Sequence, residues 1–303
     1  MRAITVTDRD AGARGLTLTE IEHPKPSEND VVVEVHAAGF TTGELDWPGT
    51  WTDRNGHDRT PSVPGHEVAG IVAELGYGTT GLTVGQRVFG LTDWTRNGSL
   101  AEYVAVEARN LAPLPASVDF VTAAALPVSG LTAWEALFDH GRLQVGQTVL
   151  VHGATGGVGS LAIQLARTAG ARVIATGRTD HRDKALDLGA DAFLDLRHDP
   201  WEKGEEADLV LDVIGGEIYM KSLEVLRPGG RIVTIPEPPA VRPQNGEAIF
   251  FIVEADRSRL TELAQRVSAG VLAPVVGAVR PLEETADAFV TRAAGRTIIE
   301  VRR

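Results

Sequence analysis

The chain has 303 residues, with 29 Lys and Arg against 41 Asp and Glu and a formal net charge of -12, a balance that argues against a nucleic-acid partner. Cysteine is absent, which removes disulfides, thiolate nucleophiles, Fe–S clusters and Cys-liganded zinc together. No apolar run reaches about 18 residues and the N-terminal stretch has no hydrophobic signal core, so a cytoplasmic protein with no membrane partner is expected.

From residue 1 to about 110, short β-branched or alternating segments at 3–6, 31–37, 68–75, 87–89 and 101–104 are separated by Pro, Gly, Asn and Asp. They predict a β-rich barrel. Past Pro115 the pattern becomes Ala-rich helix at 121–125 and 131–138, which places a domain boundary near residue 120. Next come a strand at 148–152, a helix at 157–169 and a strand at 172–176. Leu161, Leu165 and Ala169 give that helix its apolar spacing. Further alternation predicts a helix at 181–188, strands at 192–194 and 208–213, a helix at 216–226, and strands at 231–235 and 248–253. Strands alternating with helices imply a parallel, doubly wound sheet. Helices at 257–269 and 283–293 and a strand at 297–301 form a tail expected to return to the first domain. The expected domains are therefore 1–120 with 255–303, and 121–254.

Within the second domain, strand residues Val149-Leu150-Val151-His152 lead into Gly153-Ala154-Thr155-Gly156-Gly157-Val158-Gly159 and a helix. Glycines in that context permit a tight turn and close approach of backbone amides to a pyrophosphate, whose charge suits a helix N-terminus. The spacing is Ala154-x-Gly156-x-x-Gly159, with Ala in place of the first glycine of the usual fingerprint. A tight connection without a ligand is the alternative, made less attractive by the strand before, the helix after and a second strand about 20 residues on. That second strand ends in Gly177-Arg178 rather than an acid. An Arg beside a Gly offers room and charge for a ribose 2′-phosphate, so NADP(H) is expected over NAD. The alternative for Arg178 is a solvated surface charge. His181, Arg182 and Lys184 lie close in sequence.

In these residues and in several further segments, the chain resembles the medium-chain dehydrogenase/reductase superfamily and its zinc-independent quinone oxidoreductase group. The resemblance is carried by Pro64-Gly65-His66-Glu67-Val68-Ala69-Gly70, Gly85-Gln86-Arg87-Val88, Gly98-Ser99-Leu100-Ala101-Glu102-Tyr103, Ala124-Ala125-Leu126-Pro127, Gly130-Leu131-Thr132-Ala133, the glycine loop, Leu188-Gly189-Ala190-Asp191 and Arg227-Pro228-Gly229-Gly230. It implies an α/β protein: a GroES-like β-barrel catalytic domain, a Rossmann domain, and a cleft between them for NADP(H) and substrate. The implied cofactor-binding residues are Thr132, Ala154, Thr155, Gly156, Gly157, Val158, Gly177, Arg178 and Lys184.

Zinc enzymes of the superfamily hold a catalytic metal with Cys, His and Cys at positions aligning with Thr41, His66 and Val128. Only His66 can ligate, so no metal site is expected and the Lewis-acid route to alcohol oxidation is missing. The resemblance then implies hydride delivery to an acceptor activated by conjugation, a quinone or an α,β-unsaturated carbonyl. Thr41-Thr42-Gly43-Glu44 stands where the quinone oxidoreductases usually carry Asn-Pro-x-Asp, a departure in the first-domain loop. Thr41 and Trp47 are the catalytic candidates, with Trp51 and Trp94 as further aromatic groups. Two alternatives remain: an enoyl-thioester reductase and a non-catalytic NADPH-binding redox sensor. The apolar run 249–253 is where related Rossmann domains pair, which implies a homodimer.

Overall fold

In a computed structural model of the chain, which describes residues 1–291 and 293–302, β1 (Arg2–Thr5) and β2 (Thr17–Glu20) pair antiparallel. The larger sheet of this unit is organised by β3 (Asp30–Gly39), whose Val31, Val32, Val33 and Val35 are all buried. A continuous apolar run in a strand is what burial of both faces produces. After the short helix α1 (Pro48–Trp51), β4 (Glu67–Leu75) lines one edge of β3, and β5 (Arg87–Leu91) follows on β4. The opposite edge of β3 takes β6 (Tyr103–Glu107) at Asp30–Glu34, and β7 (Leu111–Pro113) closes on β5. Register shifts at Val32/Val33 and Val35/Ala37 mark bulges that bend β3. Helix α2 (Phe120–Ala124), capped by the Asp119 side chain, packs on β3 and β4.

The second compact unit spans Ser129–Val253, and the first takes Met1–Val128 with Glu254–Arg303. Helix α3 (Pro127–Trp134) runs into a π-helical turn at Glu135–His140. Then β8 (Thr148–Val151), α4 (Gly157–Thr168), β9 (Arg172–Gly177), α5 (Arg182–Asp187), β10 (Ala192–Asp195), β11 (Ala207–Asp212), α6 (Gly216–Ser222), β12 (Leu226–Thr234) and β13 (Gly246–Phe250) follow. Every pairing among these strands is parallel, in the order β10-β9-β8-β11-β12-β13. Numbered within the unit this is 3-2-1-4-5-6, the doubly wound order whose direction reverses between its first and fourth strands. The strand ends at that reversal are held by buried groups. His152 lies between the Thr176 and Ser222 hydroxyls at 2.7 and 2.8 Å. Asp212 accepts from the Ile214 and Gly215 amides and the Thr234 hydroxyl.

The chain then returns to the first unit through α7 (Arg257–Ser268), β14 (Val276–Pro281), α8 (Thr285–Val290) and β15 (Arg296–Glu300). β15 pairs antiparallel with Ala37–Gly39 of β3, next to β6 on the same edge, and carries β14 in parallel on its far side.

Several elements depart from the sequence-based expectation. β2, β7 and β14 were not anticipated; β2 and β14 are mostly exposed strands at sheet edges and need no alternating apolar face. The helix expected at 216–226 stops at Ser222, and β12 starts at Leu226, so Pro228-Gly229-Gly230 lies inside a strand at an irregular register with β11. The strand expected at 101–104 starts at Tyr103, and β13 ends at Phe250, leaving Phe251–Val253 outside it. The chain passes from one compact unit to the other between Val128 and Ser129, whereas the sequence placed the break at 120. Arg292, in the helix expected at 283–293, and Arg303 lie outside the described residues. Among the described residues, no helix is long and apolar enough to cross a membrane.

Candidate active site

In the second unit, the glycine turn leaves the carboxyl end of β8 and opens α4. Gly153 adopts φ +71°, and its carbonyl accepts from the Gly156 amide at 3.0 Å, which closes the turn. Gly156 is the N-cap and supplies no side chain, so the first-turn amides of α4 lack a side-chain cap. Gly159 is the tightest position: a Cβ there would stand 2.2 Å from the Gly153 carbonyl oxygen. Uncapped amides, a helix N-terminus and backbone packed this close form a cradle that suits a dinucleotide pyrophosphate. Ala154 and Thr155 are buried within the turn, Gly156 is exposed, and Gly157 and Val158 are half-buried on the first helical turn. The Ala154 amide donates to the Thr176 carbonyl at 3.0 Å, which sets the turn beside the end of β9.

Gly177 ends β9 in a buried position, and Arg178 extends outward with its guanidinium on Asp180 at 2.7 and 3.2 Å. Arg178, Thr179, Asp180, Asp195, Arg197 and His198 line one cavity of about 300 Å³. Asp195 is held well below the usual carboxylate range, first by the Thr179 hydroxyl and then by the Arg197 amide. Lys184 is exposed on α5 and lies outside that lining, and Thr132 is buried on α3. Arg197 and His198 were missed by the sequence reading. The signal was available in the strand order, which puts the loop after β10 beside the end of β9.

In the first unit, Thr41 is half-buried; among the described residues its hydroxyl has no protein partner, while its amide donates to Glu44 Oε2 at 3.2 Å. Glu44 Oε1 accepts from the Gly65 amide at 2.7 Å, so one buried carboxylate joins the Thr41 segment to the turn that carries His66. Burial raises the Glu44 carboxyl to about 7, against the lowering pull of the two amides and of Arg296. Glu67, fully buried, accepts from the Val128 amide at 2.9 Å and pairs with Arg296 on β15. Thr41, the turn that carries His66, and Val128 are thus tied down by two buried carboxylates.

His66 is buried, with Nδ1 2.8 Å from the Thr92 hydroxyl, and burial pushes its imidazole down to about 3, so it is neutral at pH 7. Its ring stacks near Trp47 at 6.3 Å and meets Trp94 edge-on at 5.0 Å, and the two tryptophans meet at 5.3 Å. Trp47 and Trp94 are distant in sequence, and the fold brings both to His66. Trp51 is separate, buried with its indole nitrogen donating to the Leu45 carbonyl at 2.7 Å. Among the described residues, no group of three or more His, Asp and Glu side chains is arranged to hold a metal ion.

A β-rich unit with a polar and aromatic cluster and a doubly wound unit whose glycine turn suits a dinucleotide make up a two-unit architecture, and the relatives of this chain make it an oxidoreductase. Residues 27–116 match the family described as alcohol dehydrogenase GroES-like domain, and residues 188–298 match the one described as zinc-binding dehydrogenase. The chain is 30% identical over 312 residues to a quinone oxidoreductase from Homo sapiens, covering 95% of this chain and 92% of the relative. It is 32% identical to a chloroplastic NADPH-dependent alkenal/one oxidoreductase from Arabidopsis thaliana, over 91% of this chain and 73% of the relative. The solved quinone oxidoreductase of Coxiella burnetii superposes with a TM-score of 0.91 at 27% identity, covering 100% of this chain and 99% of that one. The chain belongs to the medium-chain dehydrogenase/reductase superfamily, in its quinone oxidoreductase-like group.

Proposed function

We propose that this oxidoreductase is a zinc-independent, NADPH-dependent reductase of quinones or α,β-unsaturated carbonyls. The observation that carries the reading is the cluster of Trp47, His66 and Trp94 in the unit that holds Thr41. Flat aromatic walls and a neutral imidazole suit a flat conjugated acceptor. The donor set points the same way: Thr41 and Val128 offer no thiolate, and His66 is hydrogen-bonded to Thr92.

When bound, NADPH supplies the hydride. The protein's own residues bind and orient. The amides of the α4 N-terminus hold the pyrophosphate, and Arg178 with Gly177 receives the 2′-phosphate. Arg178 would release Asp180 to hold that phosphate; the pair is exposed, so its release costs little. The free Thr41 hydroxyl donates to the acceptor oxygen as negative charge develops there.

The test is NADPH consumption with 1,4-benzoquinone and with a simple enone, before and after chelation, against NADP-dependent oxidation of a primary alcohol. Reduction of either conjugated acceptor, unaffected by chelator, is the expected result. Alcohol oxidation lost on chelation would refute the proposal. Relatives with these names make the quinone and enone classes the first to screen.

A further inference from the structure

We propose that Glu44 is a positioning residue whose carboxylate clamps the Thr41 segment to the Gly65–His66 turn, and that protonation of Glu44 releases the Thr41 end of this clamp. Glu44 is 1% exposed and spends both oxygens on backbone amides, Gly65 at 2.7 Å and Thr41 at 3.2 Å. Its own backbone completes the fastening. The Glu44 amide donates to the Thr41 carbonyl at 2.9 Å, and its carbonyl accepts from the Trp47 amide at 3.2 Å and the Thr50 hydroxyl at 2.5 Å. One residue therefore holds both Thr41 and Trp47.

The two amide contacts need acceptors, and only the ionised carboxylate offers two unprotonated oxygens. A proton placed on Glu44 leaves one good acceptor; the shorter bond to Gly65 keeps it, and the longer bond to Thr41 weakens. The charged groups facing Glu44 are few. Arg296 on β15 favours its ionised form and is also paired with the buried Glu67 on β4, and its pull is smaller than that of either amide. His66, on the same turn as Gly65, is neutral throughout the neutral range. Burial consequently dominates, and Glu44 changes protonation near pH 7.

The functional half of this proposal rests on the reductase reading above; the structural half does not. The experiment is hydrogen exchange at the Thr41 and Gly65 amides of the full chain from pH 5.5 to 8.5, as protection factors corrected for intrinsic rates. It is run on wild type, Glu44→Gln and Glu44→Asp, beside pH profiles of kcat and KM with NADPH and 1,4-benzoquinone. In wild type, Thr41 protection should fall by about tenfold on acidification through pH 7 while Gly65 keeps most of its own. Glu44→Gln should show low, pH-independent Thr41 protection and lose the acid limb of the kcat profile near pH 7, with KM for NADPH unchanged. Glu44→Asp should restore a pH-dependent protection. Thr41 protection that is independent of pH in wild type, or equal in wild type and Glu44→Gln, overturns the clamp. If no acceptor is reduced, the reductase reading fails and the exchange data alone judge the clamp; should Glu44→Gln not fold, the wild-type pH dependence and Glu44→Asp decide.

Discussion

Replacing Gly159 with alanine tests the nucleotide cradle most directly. The added Cβ would lie 2.2 Å from the Gly153 carbonyl oxygen and 2.8 Å from its carbon. Both atoms are backbone, so no rotamer change relieves the clash. Either α4 or the turn has to move by roughly 1 Å to restore ordinary contact distances. Overpacking of this kind costs about 1–3 kcal/mol, which corresponds to a fall in Tm of roughly 3 to 10 °C for a unit this size. The displaced amides would no longer converge on one anion, and loss of a charge-assisted contact weakens binding by about 10- to 100-fold. NADPH titration followed by nucleotide fluorescence, with circular dichroism to confirm folding, measures both effects. Gly156→Ala is the control. Its Cβ meets the same oxygen at 3.3 Å, so a smaller fall in Tm is expected there, while its exposed place in the cradle still costs NADPH affinity. A Gly159→Ala protein with wild-type Tm and wild-type NADPH affinity would refute the placement of the cofactor on this turn.

Three further outcomes are expected. Arg178→Ala should weaken NADPH by about tenfold and leave NADH nearly unchanged, as measured by calorimetry, while equal losses for both cofactors would count against the 2′-phosphate assignment. Thr41→Val, nearly isosteric but without the hydroxyl, should lower kcat for a quinone or enone by about tenfold or more with NADPH affinity intact. The third concerns stability against pH. The folded-state pKa of Glu44 is raised from 4.5 to about 7, so the folded protein holds the proton more tightly and stability declines as pH rises from 4.5 through 7, by roughly 3 kcal/mol at most. His66 and His152 are shifted down to about 3 and about 4 and act with the opposite sign, removing stability as pH falls below 6.5. Urea unfolding of wild type against Glu44→Gln isolates the Glu44 contribution; parallel stability curves for the two proteins between pH 4.5 and 7.5 would contradict it.

The amino-acid sequence determined the parts of this protein that rest on local geometry. The glycine turn between β8 and α4 is legible because a strand, a tight turn and a helix impose their own spacing within a dozen residues. The alternation through β9 to β11 is legible because buried parallel strands read as short apolar runs. Edge strands escaped notice, since β14 is largely exposed and carries Gly277 and Pro281, residues that ordinarily signal a turn. The polar core of the first unit was beyond the reach of pattern. Nothing in the spacing of Glu44, Glu67 and Arg296 marks them as neighbours, and only tertiary structure brings them together, because β15 returns from the end of the chain to lie against β3. The same holds for the aromatic cluster. Trp47 and Trp94 are separated by two strands, and their meeting at His66 is decided by β4 and β5 lying side by side. Arg178 was visible as a charge at the end of β9, but its pairing with Asp180 was not. Spacing along a chain specifies where a backbone can turn, whereas the company a charge keeps depends on which distant segments are packed around it.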